Sequence, residues 1–122
     1  MKHYLNIFKA LGDENRVRIV LMLMMRPLCV CEITEVLNIA LSTISAHLKL
    51  LKNAGVIEDE KDGRWVIYKL VKDNEFFNDL LHLLEERLQN DEKVIRDRRI
   101  ISHITREICA LKLKEKQRSS FN

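Results

Sequence analysis

Ser42-Thr43-Ile44-Ser45-Ala46-His47-Leu48-Lys49-Leu50-Leu51 is the stretch that decides the fold of this chain. Ile44, Leu48 and Leu51 recur at helical spacing, which leaves Thr43, Ser45, His47 and Lys49 for solvent or a ligand. Ser42 reads as an N-cap and Ala54-Gly55 as a stop, so a helix is expected over residues 43–53. Upstream, Ile33, Val36 and Leu37 predict a short helix over residues 32–37, joined to the first by Asn38-Ile39-Ala40-Leu41. Downstream, residues 56–61 read as a strand, Asp62-Gly63 as a tight turn, and residues 64–70, with Trp65, Val66, Ile67 and Tyr68, as a second strand. Helix, helix and hairpin in this order make a winged helix-turn-helix.

The flanks read as further helices. Tyr4, Ile7, Phe8 and Leu11 form one apolar stripe, and Gly12 is expected to close that helix as a C-terminal glycine does. Asp13 is a good N-cap for a second helix carrying Val17, Val20, Leu21 and Met24 and ending before Pro27. Phe76, Phe77, Leu80, Leu81, Leu84 and Leu88 give a wide apolar face, and Asn90-Asp91 a polar break. Val94, Arg98, Ile101, Ile104, Ile108 and Leu111 then approximate a heptad seam, with a frayed end from Lys114. The fold class is mainly α with a β-hairpin, dimerising through its N- and C-terminal helices, whose apolar faces would otherwise leave a large patch in water. Residues 1–90 are expected to form the winged-helix DNA-binding and dimerisation domain, and residues 91–122 a C-terminal helical extension of it.

Composition narrows the classes. With three Gly and one Pro in 122 residues the chain lacks the turns of a β-sandwich. Residues 91–118 hold nine Lys or Arg against five Asp or Glu, so the net +3 belongs to one segment and does not by itself establish nucleic-acid binding. The apolar run of residues 19–25 is too short for a bilayer and no signal peptide is visible, so a cytoplasmic protein without membrane contact is expected.

Leu28-Cys29-Val30-Cys31-Glu32-Ile33 carries two of the three cysteines. An odd number of cysteines in a reducing compartment reads as thiols for metal or redox chemistry rather than a disulfide framework. Cysteines at i and i+2 share a side of extended chain but lie far apart around a helix. One ion can hold both only if the backbone there is extended or distorted, which couples ion binding to helix geometry.

Ala10-Leu11-Gly12-Asp13-Glu14-Asn15-Arg16, the cysteine stretch, Ser42 to Leu51, Ala54-Gly55-Val56-Ile57 and Gly63-Arg64-Trp65-Val66-Ile67-Tyr68 together resemble the ArsR/SmtB family of metal-responsive repressors over about residues 5–72. The resemblance implies a homodimer on double-stranded operator DNA that needs no cofactor to bind and is released by a toxic metal or metalloid. It makes Cys-Val-Cys the sensor for As(III) or Sb(III), with Cd(II), Pb(II) or Zn(II) as alternatives. Position 34 holds Thr34 where arsenic sensors can carry another cysteine, and residues 1–28 contain none, so Cys109 is the remaining thiol. The candidate metal ligands are therefore Cys29, Cys31 and Cys109. Candidate DNA contacts are Ser42, Thr43, Ser45, His47 and Lys49 on the helix and Arg64 at the wing tip, where Glu58, Asp59, Glu60 and Asp62 argue for a light contact.

Asp79, His82, His103 and Glu107 are the other candidates for a metal site, but their spacing does not reproduce the paired zinc sites of some relatives. No catalytic residue is expected: no phosphate-cradling loop, nucleophile elbow or His-paired cysteine accompanies the thiols. The alternatives are a winged-helix regulator whose thiols sense oxidation and, with less support, a cysteine-dependent reductase.

Overall fold

Asp13 accepts a hydrogen bond from the Arg16 N–H at 3.1 Å, the side-chain cap that starts the central helix of the molecule. The computed structural model describes the backbone of residues 1–120 and side chains through residue 116. Its elements are α1 (Lys2–Ala10), α2 (Glu14–Leu23), β1 (Leu28–Cys29), α3 (Val30–Leu37), α4 (Leu41–Asn53), β2 (Ile57–Asp62), β3 (Trp65–Leu70), α5 (Glu75–Leu88), α6 (Glu92–Ile101) and α7 (Arg106–Ser120). Helices α3 and α4 form the helix-turn-helix and β2–β3 the wing, so the chain is a winged helix-turn-helix.

Ile19, Val20 and Met22 of α2, Ile33 and Val36 of α3, and Ile44, Leu48 and Leu51 of α4 are buried in one core with Ile7, Leu28, Val56 and Phe77. Each such side chain contributes about 1.5–3 kcal/mol on leaving water. The turn between α3 and α4 works because Asn38 takes the left-handed conformation at φ 51° and its N–H reaches the Thr34 carbonyl at 2.8 Å. Gly63, at φ 63°, turns the wing, and the pairing of Asp62 with Trp65 makes Gly63-Arg64 the loop rather than Asp62-Gly63.

Four further expectations are corrected. Ser42 is not the N-cap of α4: the helix begins at Leu41, its N-cap is Ala40 without a side-chain bond, and Ser42 stands exposed in the first turn. Gly12 does not close α1 in the left-handed region; Leu11, at φ −88°, ends that helix, and no positive φ is needed there. Residues 114–120 continue α7 instead of fraying, and the last two residues of that expected frayed end lie outside the described residues. The heptad seam does not run through, because the chain breaks between α6 and α7, where Thr105 Oγ1 accepts from the Ile108 N–H at 3.4 Å. The break resets the helical phase, so Val94 and Ile101 are buried while Ile108 and Leu111 are 52% and 62% exposed, and Cys109, Ala110 and Leu113 face inward instead.

Ion pairs with buried members fasten the C-terminal helices. Arg18 of α2 grips Asp97 of α6 with two bonds of 2.8 and 2.7 Å, and Asp97 is almost wholly buried. That pairing holds the Arg18 guanidinium charged above its ordinary range. Arg98 likewise makes two bonds to Glu85 of α5, at 2.9 and 2.6 Å, and pulls its carboxyl below the usual value. Helix α7 lies on α3, with Lys112 on Glu35 at 2.9 Å.

Candidate thiol site and nucleic-acid interface

Strand β1 is the element that sequence reading missed, since two residues between Pro27 and a helix give no period to detect. It pairs antiparallel with β3, Leu28 opposite Tyr68 and Cys29 opposite Ile67, in a sheet of order β1-β3-β2. Cys29 therefore ends a strand tied to the wing and also serves as the N-cap of α3, at φ −85° and ψ 164°. Its extended backbone carries the Cys29 side chain to the same side as Cys31, the second residue of α3, with the Cα atoms 5.5 Å apart. The structure joins the two sulfurs as a disulfide pair, where sequence reading expects free thiols, because the strand-to-helix junction brings them into contact. Cys31 Sγ also lies 3.6 Å from the carbonyl oxygen of Arg106, an acceptor for the reduced thiol.

Cys109 comes from the other direction. The first turn of α7 places it, 2% exposed, in a cluster with Cys29, Cys31 and Ile67, packed by Trp65, Ile104, Ala110 and Leu113. All three cysteines of the chain thus belong to one buried cluster within one protomer. Burial, reinforced by the charges of Glu35 and Glu32, pushes the Cys109 thiol up to about 11. Among the described residues no group of three or more His, Cys, Asp or Glu is arranged to hold a metal ion, and this covers Cys29, Cys31 and Cys109 as they stand as well as Asp79, His82, His103 and Glu107.

The thiol site is wired to the rest of the molecule through Glu32. The Cys29 N–H donates to Glu32 Oε1 at 3.0 Å, while Glu32 Oε2 pairs with Arg26 at 2.7 Å. Arg26 in turn donates to the carbonyls of Ile101, at 3.1 Å, and Ile104, at 3.4 Å. One buried carboxylate therefore ties the start of α3 to the α6–α7 junction.

Of the residues expected on the reading helix, Ser42, Thr43, Ser45 and Lys49 stand exposed along one face of α4. His47 does not. It is 8% exposed and accepts at Nδ1 from Arg16 Nη1 at 3.2 Å, while the Arg16 Nε donates to the Ala10 carbonyl at 2.7 Å. His47 therefore packs α4 onto α2 and the end of α1, a role that its polar type conceals in the sequence. Arg64 is exposed at the wing tip with its guanidinium over the Trp65 ring, 4.8 Å from the centroid. The acidity of the wing is largely compensated: Glu58 and Glu60 pair with Lys69, Asp59 with Lys52, and Asp62 with Arg106. Among the described residues no helix is long and apolar enough to cross a membrane.

Comparison with known proteins agrees with this geometry. Residues 13–59 match the family described as bacterial regulatory protein, arsR family. The chain is 42% identical over 65 residues to the arsenic resistance transcriptional regulator ArsR1 of Pseudomonas putida, covering 52% of this chain and 51% of that protein. It spans only about half the length of that relative. To the cadmium resistance transcriptional regulatory protein CadC of Listeria innocua it is 37% identical over 89 residues, 72% of this chain and 71% of the relative. The fold resembles the homodimeric winged helix-turn-helix DNA-binding domain Mb0332 of Mycobacterium bovis, with a TM-score of 0.62 and 24% identity over 75% of this chain and 82% of that one. The chain belongs to the arsR family of bacterial regulatory proteins.

Proposed function

We propose that this protein is a transcriptional repressor that leaves its operator when arsenite or antimonite is held by the thiolates of Cys29 and Cys31, with Cys109 as third donor. The observation that carries this reading is the meeting of the three cysteines at the start of α3, the helix that supports α4. Trivalent arsenic favours three soft sulfur donors, which the cluster supplies if α7 shifts to present Cys109. Cd(II), Pb(II) and Zn(II) are the alternative inducers; Zn(II) would need ligands beyond the thiols. The names of the relatives, one for arsenic and one for cadmium resistance, support a thiophilic inducer.

Ser42, Thr43, Ser45 and Lys49 contact the major groove and its phosphates, and Arg64 reaches a flanking phosphate. Drawing the sulfurs around an ion changes the backbone at Cys29, and the Glu32–Arg26 connection carries the change to the α6–α7 junction. A coupling of about 1–3 kcal/mol lowers operator affinity many-fold. The protein acts as a homodimer. Tyr4 and Phe8 of α1 are 46% and 53% exposed and stack edge-on against Phe76 of α5, leaving an aromatic face for the partner subunit. Phe8→Asp is expected to sediment as a monomer at micromolar concentration; a dimeric variant would contradict this interface.

The test of the function is the mobility of a palindromic promoter fragment with the reduced protein, adding arsenite, antimonite, cadmium, lead and zinc in turn. Release by arsenite or antimonite supports the reading; retention under every ion overturns it. The pairing of Cys29 with Cys31 favours a second reading, in which oxidation of these thiols releases the operator. Release by peroxide but not by arsenite, reversed by a thiol reductant, would select it.

A further inference from the structure

Arg106, Ala110 and Lys114 lie four residues apart on α7 and share one face of it. That face looks at the wing: Arg106 pairs with Asp62 at 2.9 Å and stands over the Trp65 ring, 5.6 Å from the centroid. One turn beyond Ala110, Lys114 lines a cleft of about 350 Å3 together with Arg64 of the wing tip. Arg64 and Lys114 are both exposed, and among the described residues neither has an ion-pair partner, unlike Lys112 on Glu35. Further along the helix, Lys116 donates to Asn38 Oδ1 at 3.0 Å, at the turn that leads into α4. The cations of α7 therefore run from the wing tip to the start of the reading helix.

Helix α7 packs along α3, the first helix of the helix-turn-helix, and in this motif that helix crosses the DNA backbone. A helix lying on α3 and beside the wing tip is held at the edge of the duplex, where phosphates rather than base edges are in reach. Asp62 is the last residue of β2, directly before the loop Gly63-Arg64, so its charge would repel the phosphate that Arg64 reaches. Arg106 cancels that charge.

We infer that α7 is a second DNA-contacting element: Lys114, beside Arg64, binds backbone phosphates flanking the inverted repeat, and Arg106 is a positioning residue that neutralises Asp62 at that edge. This rests on the repressor reading above and extends its DNA contact beyond α4 and the wing loop. The contact is independent of base sequence and weakens with salt, since each phosphate neutralised releases counterions.

The test uses the reduced full chain and two fluorescent promoter duplexes, one ending at the inverted repeat and one extended on each side by a helical turn of about ten base pairs. The parent is expected to hold the extended duplex about ten-fold more tightly at low salt, with one added phosphate contact from each subunit. Lys114→Ala is expected to remove that advantage and to lower the salt slope on the extended duplex by about one unit per subunit, with an unchanged melting temperature. Lys114→Arg keeps the charge and should behave as the parent. Arg106→Gln uncovers the Asp62 charge and should lose the advantage, and adding Asp62→Asn to it should bring the advantage back. A loss that persists in this double variant overturns the role given to Arg106. Equal binding of both duplexes by the parent, or an advantage that survives in Lys114→Ala, overturns the contact and leaves the repressor reading standing. Failure of the parent to bind either duplex overturns both.

Discussion

Arg26 and Glu32 meet at 2.7 Å, with the Glu32 side chain only 3% exposed and the Arg26 side chain 38% exposed. Glu32 is the third residue of α3 and also accepts from the Cys29 N–H, so the charge that caps the sensor helix is neutralised by a residue beyond the end of α2. Arg26→Ala leaves a buried carboxylate without its cation. The expected loss of stability is about 1–3 kcal/mol, reduced from the figure for a fully buried pair because water reaches the arginine. Glu32→Gln keeps an acceptor for Cys29 and should lose less. Thermal unfolding of both variants checks the order; equal melting temperatures would show that the pair carries no stability.

His47 and Lys49, two residues apart on α4, should behave oppositely. Lys49→Ala is expected to leave the melting temperature unchanged and to lower the dependence of operator affinity on salt by about one unit of slope. His47→Ala removes the partner of Arg16 in the α1–α2–α4 corner and should lower stability by about 1–2 kcal/mol with the salt slope intact. Affinity measured across a salt series, beside a melting curve for each variant, separates the two roles.

Cys109 predicts an alkaline limb in stability. Its folded value is raised from 9.0 to about 11, so the folded state holds the proton more tightly than the unfolded chain does. The stabilisation is complete below about pH 9 and is lost as the pH rises through 11, amounting to about 1–2 kcal/mol once solvent screening is allowed for. Cys109→Ala should therefore flatten the fall in stability between pH 9 and 11 relative to the parent. An unchanged limb would mean that the thiol is not desolvated in solution.

Much of this molecule can be read from its residues, and the misreadings have identifiable causes. Ile44, Leu48 and Leu51 announce α4, and Asp13 announces α2, because helical period and side-chain capping are local. The burial of His47 is not legible in the sequence because it depends on Arg16, thirty-one positions away, which no pattern within α4 can show. The helix start at Leu41 rather than Thr43 follows from a turn whose geometry is set by Asn38, not by a capping hydroxyl on Ser42. At the thiol site, the spacing of Cys29 and Cys31 permits a pair only on extended backbone, which the two-residue strand β1 supplies at Cys29. The approach of Cys109 is not, since it depends on the break at residues 102–105 and the resulting phase of α7.

The central claim is that the sulfurs of Cys29 and Cys31 control the grip on DNA. Anisotropy of a fluorescent operator fragment, followed while arsenite is added to the reduced parent, Cys29→Ser and Cys31→Ser, tests it most directly. All three proteins should bind the fragment equally before arsenite is added, and only the parent should then let go. If either serine variant releases the fragment at the arsenite concentration that releases the parent, the sulfurs at the start of α3 are not the sensor.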